Sequence, residues 1–319
     1  MLRSSWLTSA IAAGAVALAA MLGGCGQFSP AYMKPLSAQT RALLAEKGMT
    51  EEQPVLIRIF KAESELEVWK QRDDGHYYHF KTYPICSYSG GLGPKVQQGD
   101  RQAPEGFYLV NEDQMNPRSK YYLAFNMGFP NAYDRAYGRT GADLMVHGDC
   151  SSSGCYAMTD AVIEEIYILA REALSAGQPY FQVQAYPFRM TTANLEAHRK
   201  DEWYDFWRNL KEGYDYFETT RLAPPIAVCE RRYLINAAFE GGARPSPAAR
   251  CPAYRRMPMV AFKPSKAGEP KMSQASLSKP LGSVLGLRFG TSQPNMKAFT
   301  LGPATPTVVP AGKKPKAKK

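Results

Sequence analysis

Histidine is scarce in this chain, with four residues in 319: His76, His79, His147 and His198. His76 and His79 stand three apart in a segment that reads as a strand, so they would face opposite sides and cannot share a metal. His198 falls in a charged, helical stretch and reads as a solvated face residue. No zinc-like Cys/His spacing, phosphate-binding loop or dinucleotide fingerprint occurs. No metal and no other cofactor is therefore expected. Long apolar runs are also lacking. Ile11 to Leu22 (IAAGAVALAAML) is twelve residues, too short to cross a bilayer comfortably as a helix. Acidic residues almost vanish from the last quarter, where Gly242 to Lys319 holds fifteen Lys or Arg against the single acid Glu269. The formal net charge of +10 belongs to that tail, and residues 1–241 carry a small acidic excess.

What is present at the N-terminus sets the compartment. Arg3 precedes the short apolar run, the pattern of an export signal. The run ends in Leu22-Gly23-Gly24-Cys25, which resembles the bacterial lipobox, so residues 1–24 are expected to be removed and Cys25 lipidated. An ordinary secretory signal cleaved nearby would export the chain equally. Gly26 is not the Asp associated with inner-membrane retention, which favours a periplasm-facing lipoprotein of the outer membrane. Nucleic acid is excluded as a natural partner for an exported chain, and the basic tail would meet peptidoglycan or lipid headgroups instead.

The remainder divides by composition. Residues 25–51 read as a polar, Pro-containing tether with a short helix near Thr40–Lys47. Residues 52–222 form the main domain. Its predicted strands are Val55–Phe60, Leu66–Trp69, Tyr77–Tyr83, Gly106–Val110, Tyr121–Phe125 and Leu144–Val146, separated by turns such as Asp73-Asp74-Gly75. Helical spacing of Val162, Ile163, Ile166, Leu169, Ala170, Ala173 and Leu174 predicts a helix over Asp160–Ala176. A second helix is predicted over Asn194–Lys211, its aromatics being packing residues. The fold class is thus β-rich α+β with inserted helices. Residues 223–260 read as a C-terminal extension. From about Gly241 apolar periodicity fades, and residues 261–319 read as a Pro/Lys-rich basic disordered tail.

The chemistry-bearing stretch is Leu144-Met145-Val146-His147-Gly148, continuing through Cys150 to Ser152-Ser153-Gly154-Cys155-Tyr156. An apolar strand delivers His147, a loop of small residues turns back, and Cys155 is expected just before the helix starting at Asp160. A thiol needs a nearby base or cation to react as thiolate, and a following helix N-terminus would favour the anion. Backbone N–H groups around Gly154–Tyr156 are candidates for stabilising an oxyanion. Against this stands the bland reading, in which Cys155 is a buried apolar residue or the disulfide partner of Cys150.

The segment resembles the active-site signature of the L,D-transpeptidase (YkuD-type) family, in which a strand ends in His-Gly and a Ser/Thr-x-Gly-Cys loop follows. Further blocks resemble its YafK-type branch: Tyr83 to Lys95, Gly99-Asp100, Pro104 to Tyr108, Ala124 to Arg135, and Gly138 to Gly141. The resemblance implies a β-sandwich catalytic domain in which Cys155 is the nucleophile and His147 the general base and proton donor. Ser153, Gly154, Tyr156 and Gly148 would shape the loop and oxyanion site. Asn126, Tyr133, Arg135 and Arg139 are candidates to line the cleft, since Arg binds stem-peptide carboxylates well, with structural salt bridges the equal alternative for the two arginines. Ser153 replaces the His common before Gly in the wider family, Ala157 replaces its Arg or Asn, and the His-to-Cys spacing of eight is short. With Cys25 lipidated and Cys155 free, four cysteines allow three pairings. Cys86–Cys150 with Cys229–Cys251 is preferred, although spacing leaves the others open.

Three functions follow as expectations. The first is acyl transfer on peptidoglycan stem peptides through a Cys155 thioester, giving cross-links or attaching an envelope protein. The second is hydrolysis by the same chemistry, releasing peptidoglycan-linked protein or trimming cross-links. The third is a non-catalytic, lipid-anchored protein that binds peptidoglycan through its basic tail.

Overall fold

The computed structural model describes residues 29–264. Cys25 with the expected signal segment, and residues 265–319 of the basic tail, lie outside the described residues.

Strand β1 (Val55–Phe60) is buried at every position. Its place explains this, because it is the central strand of a five-stranded sheet ordered β3-β2-β1-β10-β5. Here β2 is Glu65–Gln71, β3 Tyr77–Pro84, β5 Gly106–Val110 and β10 Phe181–Tyr186. Val55, Ile57 and Ile59 point into the main core, while Leu56 and Phe60 face the opposite side. β1 runs antiparallel to β2 and parallel to β10, and the long connection to β10 includes the second sheet and a helix, as a parallel pair requires.

The second sheet is ordered β4-β9-β8-β7-β6. Its strands are short: β4 is Ser87–Tyr88, β6 Met115–Asn116, β7 Ala124–Asn126, β8 Met145–His147 and β9 Tyr156–Ala157. Phe125, Val146 and Tyr156 of this sheet share one core with Ile57, Val68, Tyr108 and Val183 of the first. Helix α1 (Ala38–Glu46) is capped by Ser37, and α2 (Ala132–Ala136) by Asn131. The amphipathic α3 (Asp160–Ser175) inserts Ile163, Ile166, Ala170 and Ala173 into the same core. The architecture is β-rich α+β with two mixed sheets, consistent with the fold class read from the sequence.

The helix predicted over Asn194–Lys211 is two helices, α4 (Thr192–Ala197) and α5 (Tyr204–Thr220). Between them the Asp201 carboxylate accepts from the Trp203 N–H at 2.9 Å, a local bond that competes with helix continuation. α5 runs on to Thr220 because Phe206, Trp207, Leu210 and Phe217 cover the outer face of the first sheet. Arg221, with φ 55°, ends it. His198 is not a freely solvated face residue, since its ring stacks on Phe188 at 4.4 Å. His76 lies just before β3 and His79 within it. The strand predicted from Tyr121 starts only at Ala124, after Tyr122 with φ 67°.

Regular structure follows α5, and its last strand lies beyond Gly241. β11 (Ile226–Cys229) and β12 (Arg232–Ile235) form one hairpin, and β13 (Ala237–Phe239) pairs with β14 (Tyr254–Arg256). A disulfide joins Cys229 to Cys251. The Phe262 N–H donates to the Thr219 carbonyl, and its ring packs on His76 and Tyr78. A covalent staple and aromatic anchors supply the order that composition does not advertise.

Candidate active site

Parallel pairing of β8 with β9 puts two reactive residues on the same face of the second sheet. Val146 is opposite Tyr156, and His147 opposite Ala157. Val146 and Tyr156 point into the core and are fully buried, so the alternate residues Met145 and His147 lie on the other face. Cys155 immediately precedes β9, and its Sγ lies 3.4 Å from the Met145 backbone N–H. Base and nucleophile therefore share one face of the sheet on adjacent strands.

His147 is 2 % exposed and packs against the Tyr121 ring at 4.7 Å. Its Nδ1 is 2.6 Å from the Gly148 carbonyl oxygen. Only a protonated Nδ1 can donate there, which leaves the Nε2 lone pair for a substrate or thiol proton. Burial pushes the imidazole below its ordinary pKa, against the opposing effects of the Gly148 carbonyl and Asp149. Burial likewise pushes the Cys155 thiol up; the Met145 N–H and the Lys95 charge pull it down, while Asp143 adds to the rise. The thiol donates weakly to the Asp143 carbonyl at 3.7 Å. Both shifts favour the neutral thiol and the neutral imidazole.

The helix expected directly after Cys155 is displaced. β9, Met158 and Thr159 intervene before α3 begins, and the Thr159 side chain accepts from Val162 at its first turn. The helix dipole is thus not at the thiol. A two-residue strand defined by tertiary pairing is the reason, since neither Tyr156 nor Ala157 announces a strand by periodicity.

The loop between His147 and Cys155 is held at several points. Gly148 donates to the carbonyls of Tyr121 and Leu123. A Cβ there would sit 2.5 Å from Asp160 Oδ1 and 2.9 Å from the Tyr121 oxygen, so the close approach requires glycine. Asp160 Oδ1 also accepts from the Asp149 N–H at 2.9 Å. Cys150 is disulfide-bonded to Cys86 with a Cα–Cα separation of 5.2 Å. Cys155 is a free thiol, half-buried. Ser152 Oγ donates to the Cys155 carbonyl at 2.7 Å and accepts from Gly154 N–H at 3.3 Å. Gly154 has φ +132°, a backbone region closed to most L-residues. Ser153 is exposed at the loop tip. The Tyr156 hydroxyl donates to the Pro104 carbonyl at 2.7 Å and anchors the residue after the nucleophile.

The four residues considered for the cleft separate. Asn126 is opposite Met145 in the β7–β8 pair and so shares the face of His147 and Cys155. Its side chain accepts from the Gly128 N–H at 2.8 Å. Tyr133 and Arg139 instead line a cavity of about 660 Å³ that neither Cys155 nor His147 lines. Arg139 is buried there in an ion pair with Asp134 at 2.8 Å, which makes it a structural group rather than a free carboxylate receptor. Arg135 borders another cavity and donates to the Pro130 carbonyl.

Two charged pairs near the site escaped the sequence reading. Lys61 and Glu105, both fully buried, pair at 3.0 Å. Glu105 also accepts from Gly93 N–H and Trp207 Nε1, and Lys61 donates to the Gly93 and Ala103 carbonyls. Lys95 pairs with Asp100 at 2.5 Å, and Asp100 accepts from the backbone of Val96, Gln97 and Gln102. A charge inside a run such as Ile59-Phe60-Lys61 was the available signal. Among the described residues no group of three or more His, Cys, Asp or Glu side chains gathers where a metal could sit.

Residues 54–176 match the YkuD family, described as the L,D-transpeptidase catalytic domain. The "Putative L,D-transpeptidase YafK" of Escherichia coli strain K12 is 52% identical over 183 residues, covering 57% of this chain and 74% of that protein. Among solved structures, the helical cell shape determining protein Pgp2 from Campylobacter jejuni aligns at 21% identity and TM-score 0.35. That alignment covers 57% of this chain and 68% of the other. Bd1075 of Bdellovibrio bacteriovorus aligns at 20% identity and TM-score 0.30, over 52% of this chain and 62% of that one.

Proposed function

This chain belongs to the L,D-transpeptidase family, and from that premise we propose that it is a cysteine acyltransferase acting on peptidoglycan stem peptides through Cys155. The observation that carries the reading is the parallel β8–β9 register, which sets His147 and Cys155 on one face with His147 Nδ1 committed to Gly148.

In the proposed cycle Cys155 Sγ attacks a stem-peptide carbonyl while His147 Nε2 takes the thiol proton. The neutral pair makes this transfer concerted with attack, since a free thiolate is disfavoured by burial. The tetrahedral oxyanion collapses, the C–N bond breaks, and the imidazolium returns its proton to the departing amine. This leaves a thioester on Cys155. An acceptor amine then attacks, His147 removes its proton, and the thiol is regenerated with a new amide. Water in place of the amine completes the same cycle as hydrolysis, releasing a linked protein or trimming a cross-link. Gly154, Tyr156, Ser153 and Gly148 are the loop positions assigned to shaping the oxyanion site, and Asn126 is the cleft candidate that shares the catalytic face.

We place the enzyme in the cell envelope, periplasm-facing and lipid-anchored through Cys25. The Cys86–Cys150 and Cys229–Cys251 bridges support an oxidising compartment. A carbapenem should add its mass once to the purified protein, on Cys155, and Cys155→Ala should abolish the adduct. Defined muropeptides then identify the acceptor: a new cross-link marks transfer, and water-cleaved products alone mark hydrolysis. No adduct and no turnover, with Cys155 shown to be a free thiol, would sink the proposal.

A further inference from the structure

The 660 Å³ cavity lined by Tyr133 and Arg139 lies outside the catalytic face, yet its volume falls in the range of small-molecule sites. Its floor is aromatic, with Tyr133 and Phe206 at 5.3 Å and the Arg139 guanidinium over both rings. Tyr137 rises at the edge and is 51 % exposed. Trp203, half-buried, contributes a second aromatic wall. Exposed rings at the mouth of a pocket offer flat apolar surface that water wets poorly.

The charges lining the cavity balance in number, with Arg139, Arg208 and Arg232 against Glu202, Asp205 and Glu212. Arg208 pairs with Asp205, Arg232 with Glu212, and Arg139 with Asp134. A cavity built to hold a strongly anionic or cationic ligand would leave one sign in excess. Here the lining offers donors and acceptors without a large net field. The fitting ligand is neutral, has one apolar face for the rings, and is edged with hydroxyl and amide groups. A pyranose bearing an N-acetyl group has that chemistry.

One backbone segment borders both the cavity and the loop that carries the nucleophile. Val96 lines it, and the preceding Lys95 exerts its charge on Cys155. Trp203 packs so closely on Gly93 that a Cβ there would be 2.6 Å from its Nε1. At the other end of this segment, a Cβ on Gly154 would be 3.7 Å from the Gln102 carbonyl. The segment from Gly93 to Gln102 therefore touches the cavity wall on one side and the Cys155 loop on the other.

We infer that this cavity is a subsite for N-acetylated hexosamine units of a glycan strand whose attached peptide reaches Cys155. The inference rests on the proposed peptidoglycan substrate and adds to it a sugar-binding role for Tyr137 and Trp203. The test uses the full-length chain carrying Cys155→Ala, titrated with the tetramer of N-acetylglucosamine. Saturable binding is expected, weakened about three- to tenfold by Tyr137→Ala and recovered by Tyr137→Trp. Magnetisation transfer from the sugar to the Trp203 indole provides a readout that needs no substitution in the cavity. With Cys155 intact, Tyr137→Ala should raise KM for a disaccharide tetrapeptide and leave the glycan-free tetrapeptide unchanged. Absent tetramer binding, no transfer to Trp203, or equal effects on both peptide substrates would each overturn the subsite. Tetramer binding retained while wild type turns over neither peptide would support the subsite and reject the transpeptidase reading alone.

Discussion

His147 Nδ1 lies 2.6 Å from the carbonyl oxygen of Gly148, the next residue in the chain. That contact fixes the tautomer, so the ring offers Nε2 as an acceptor before any substrate arrives. Burial adds a second constraint by disfavouring charge on both partners. A thiolate–imidazolium pair would need the opposite shifts, a raised imidazole and a lowered thiol.

The pH dependence follows from these directions. His147 must be neutral to accept a proton, and its pKa is lowered, so kcat/KM should rise with pH through a limb below about 6.5. The Cys155 pKa is raised, so alkylation by iodoacetamide, which needs free thiolate, should keep climbing beyond the ordinary thiol value of about 8.5. Alkylation already at its plateau near neutral pH would show a preformed ion pair and reject the neutral resting state. His147→Ala should lower kcat/KM by roughly 10²–10⁴-fold, and a melting curve of the variant separates that loss from the cost of removing a packed, buried ring.

The two disulfides should separate by function. Cys86–Cys150 ties the loop carrying the nucleophile to the segment after β3, where Cys86 N–H also donates to the Ala157 carbonyl. Replacing both cysteines with Ser should cost about 2–4 kcal/mol of stability and also lower kcat at temperatures where the protein remains folded. The Cys229–Cys251 pair staples the C-terminal hairpin region. Its double Ser variant should lose stability with kcat unchanged. Steady-state kinetics on both variants, each held well below its melting point, decides the matter; equal kcat in the two would refute a positioning role for Cys86–Cys150.

Gly148→Ala should be damaging out of proportion to one methyl group. Its Cβ would meet a side-chain oxygen at 2.5 Å and a backbone oxygen at 2.9 Å, and the backbone contact cannot be relieved by a rotamer change. The expected cost is about 1–3 kcal/mol, with loss of carbapenem acylation as the His147 backbone shifts. Thermal melting and adduct mass read the two effects separately. Adding Asp160→Ala removes the nearer obstruction and should restore only part of the stability, because the Tyr121 carbonyl stays in place.

How legible the site was in the sequence depends on which force sets each residue's place. Val55–Phe60 and Gly106–Val110 are recognisable as strands because their apolar runs are bounded by turn-forming or polar residues. His147 was legible as the end of an apolar strand, and Cys155 as part of a loop of small residues. β9 was not, since two residues carry no period and only the pairing with β8 and β4 makes them a strand. The break between α4 and α5 was hidden for a related reason: charged and aromatic residues keep helical spacing across it, and a single Asp201 bond turns the chain. The sequence leaves Arg139 open between a substrate contact and a structural salt bridge because its partner Asp134 is five residues away across the end of a short helix. Sequence spacing does not show that the two meet.

The Lys61–Glu105 pair gives the last prediction. Both side chains are fully buried, and Glu105 accepts from Gly93 N–H and Trp207 Nε1 as well as pairing with Lys61. The adjacent Pro104 carbonyl receives the Tyr156 hydroxyl, so this pair supports the chain segment against which the nucleophile strand is anchored. Lys61→Met would leave a buried carboxylate without its cation, at a cost of about 3–5 kcal/mol. The double variant Lys61→Met/Glu105→Gln removes both charges while retaining an acceptor and a donor on residue 105. It should therefore be more stable than Lys61→Met alone, although each substitution by itself is destabilising. Chemical denaturation of the wild type, the two single variants and the double variant completes the cycle. Simple additivity of the two single losses would show that the charges are not coupled.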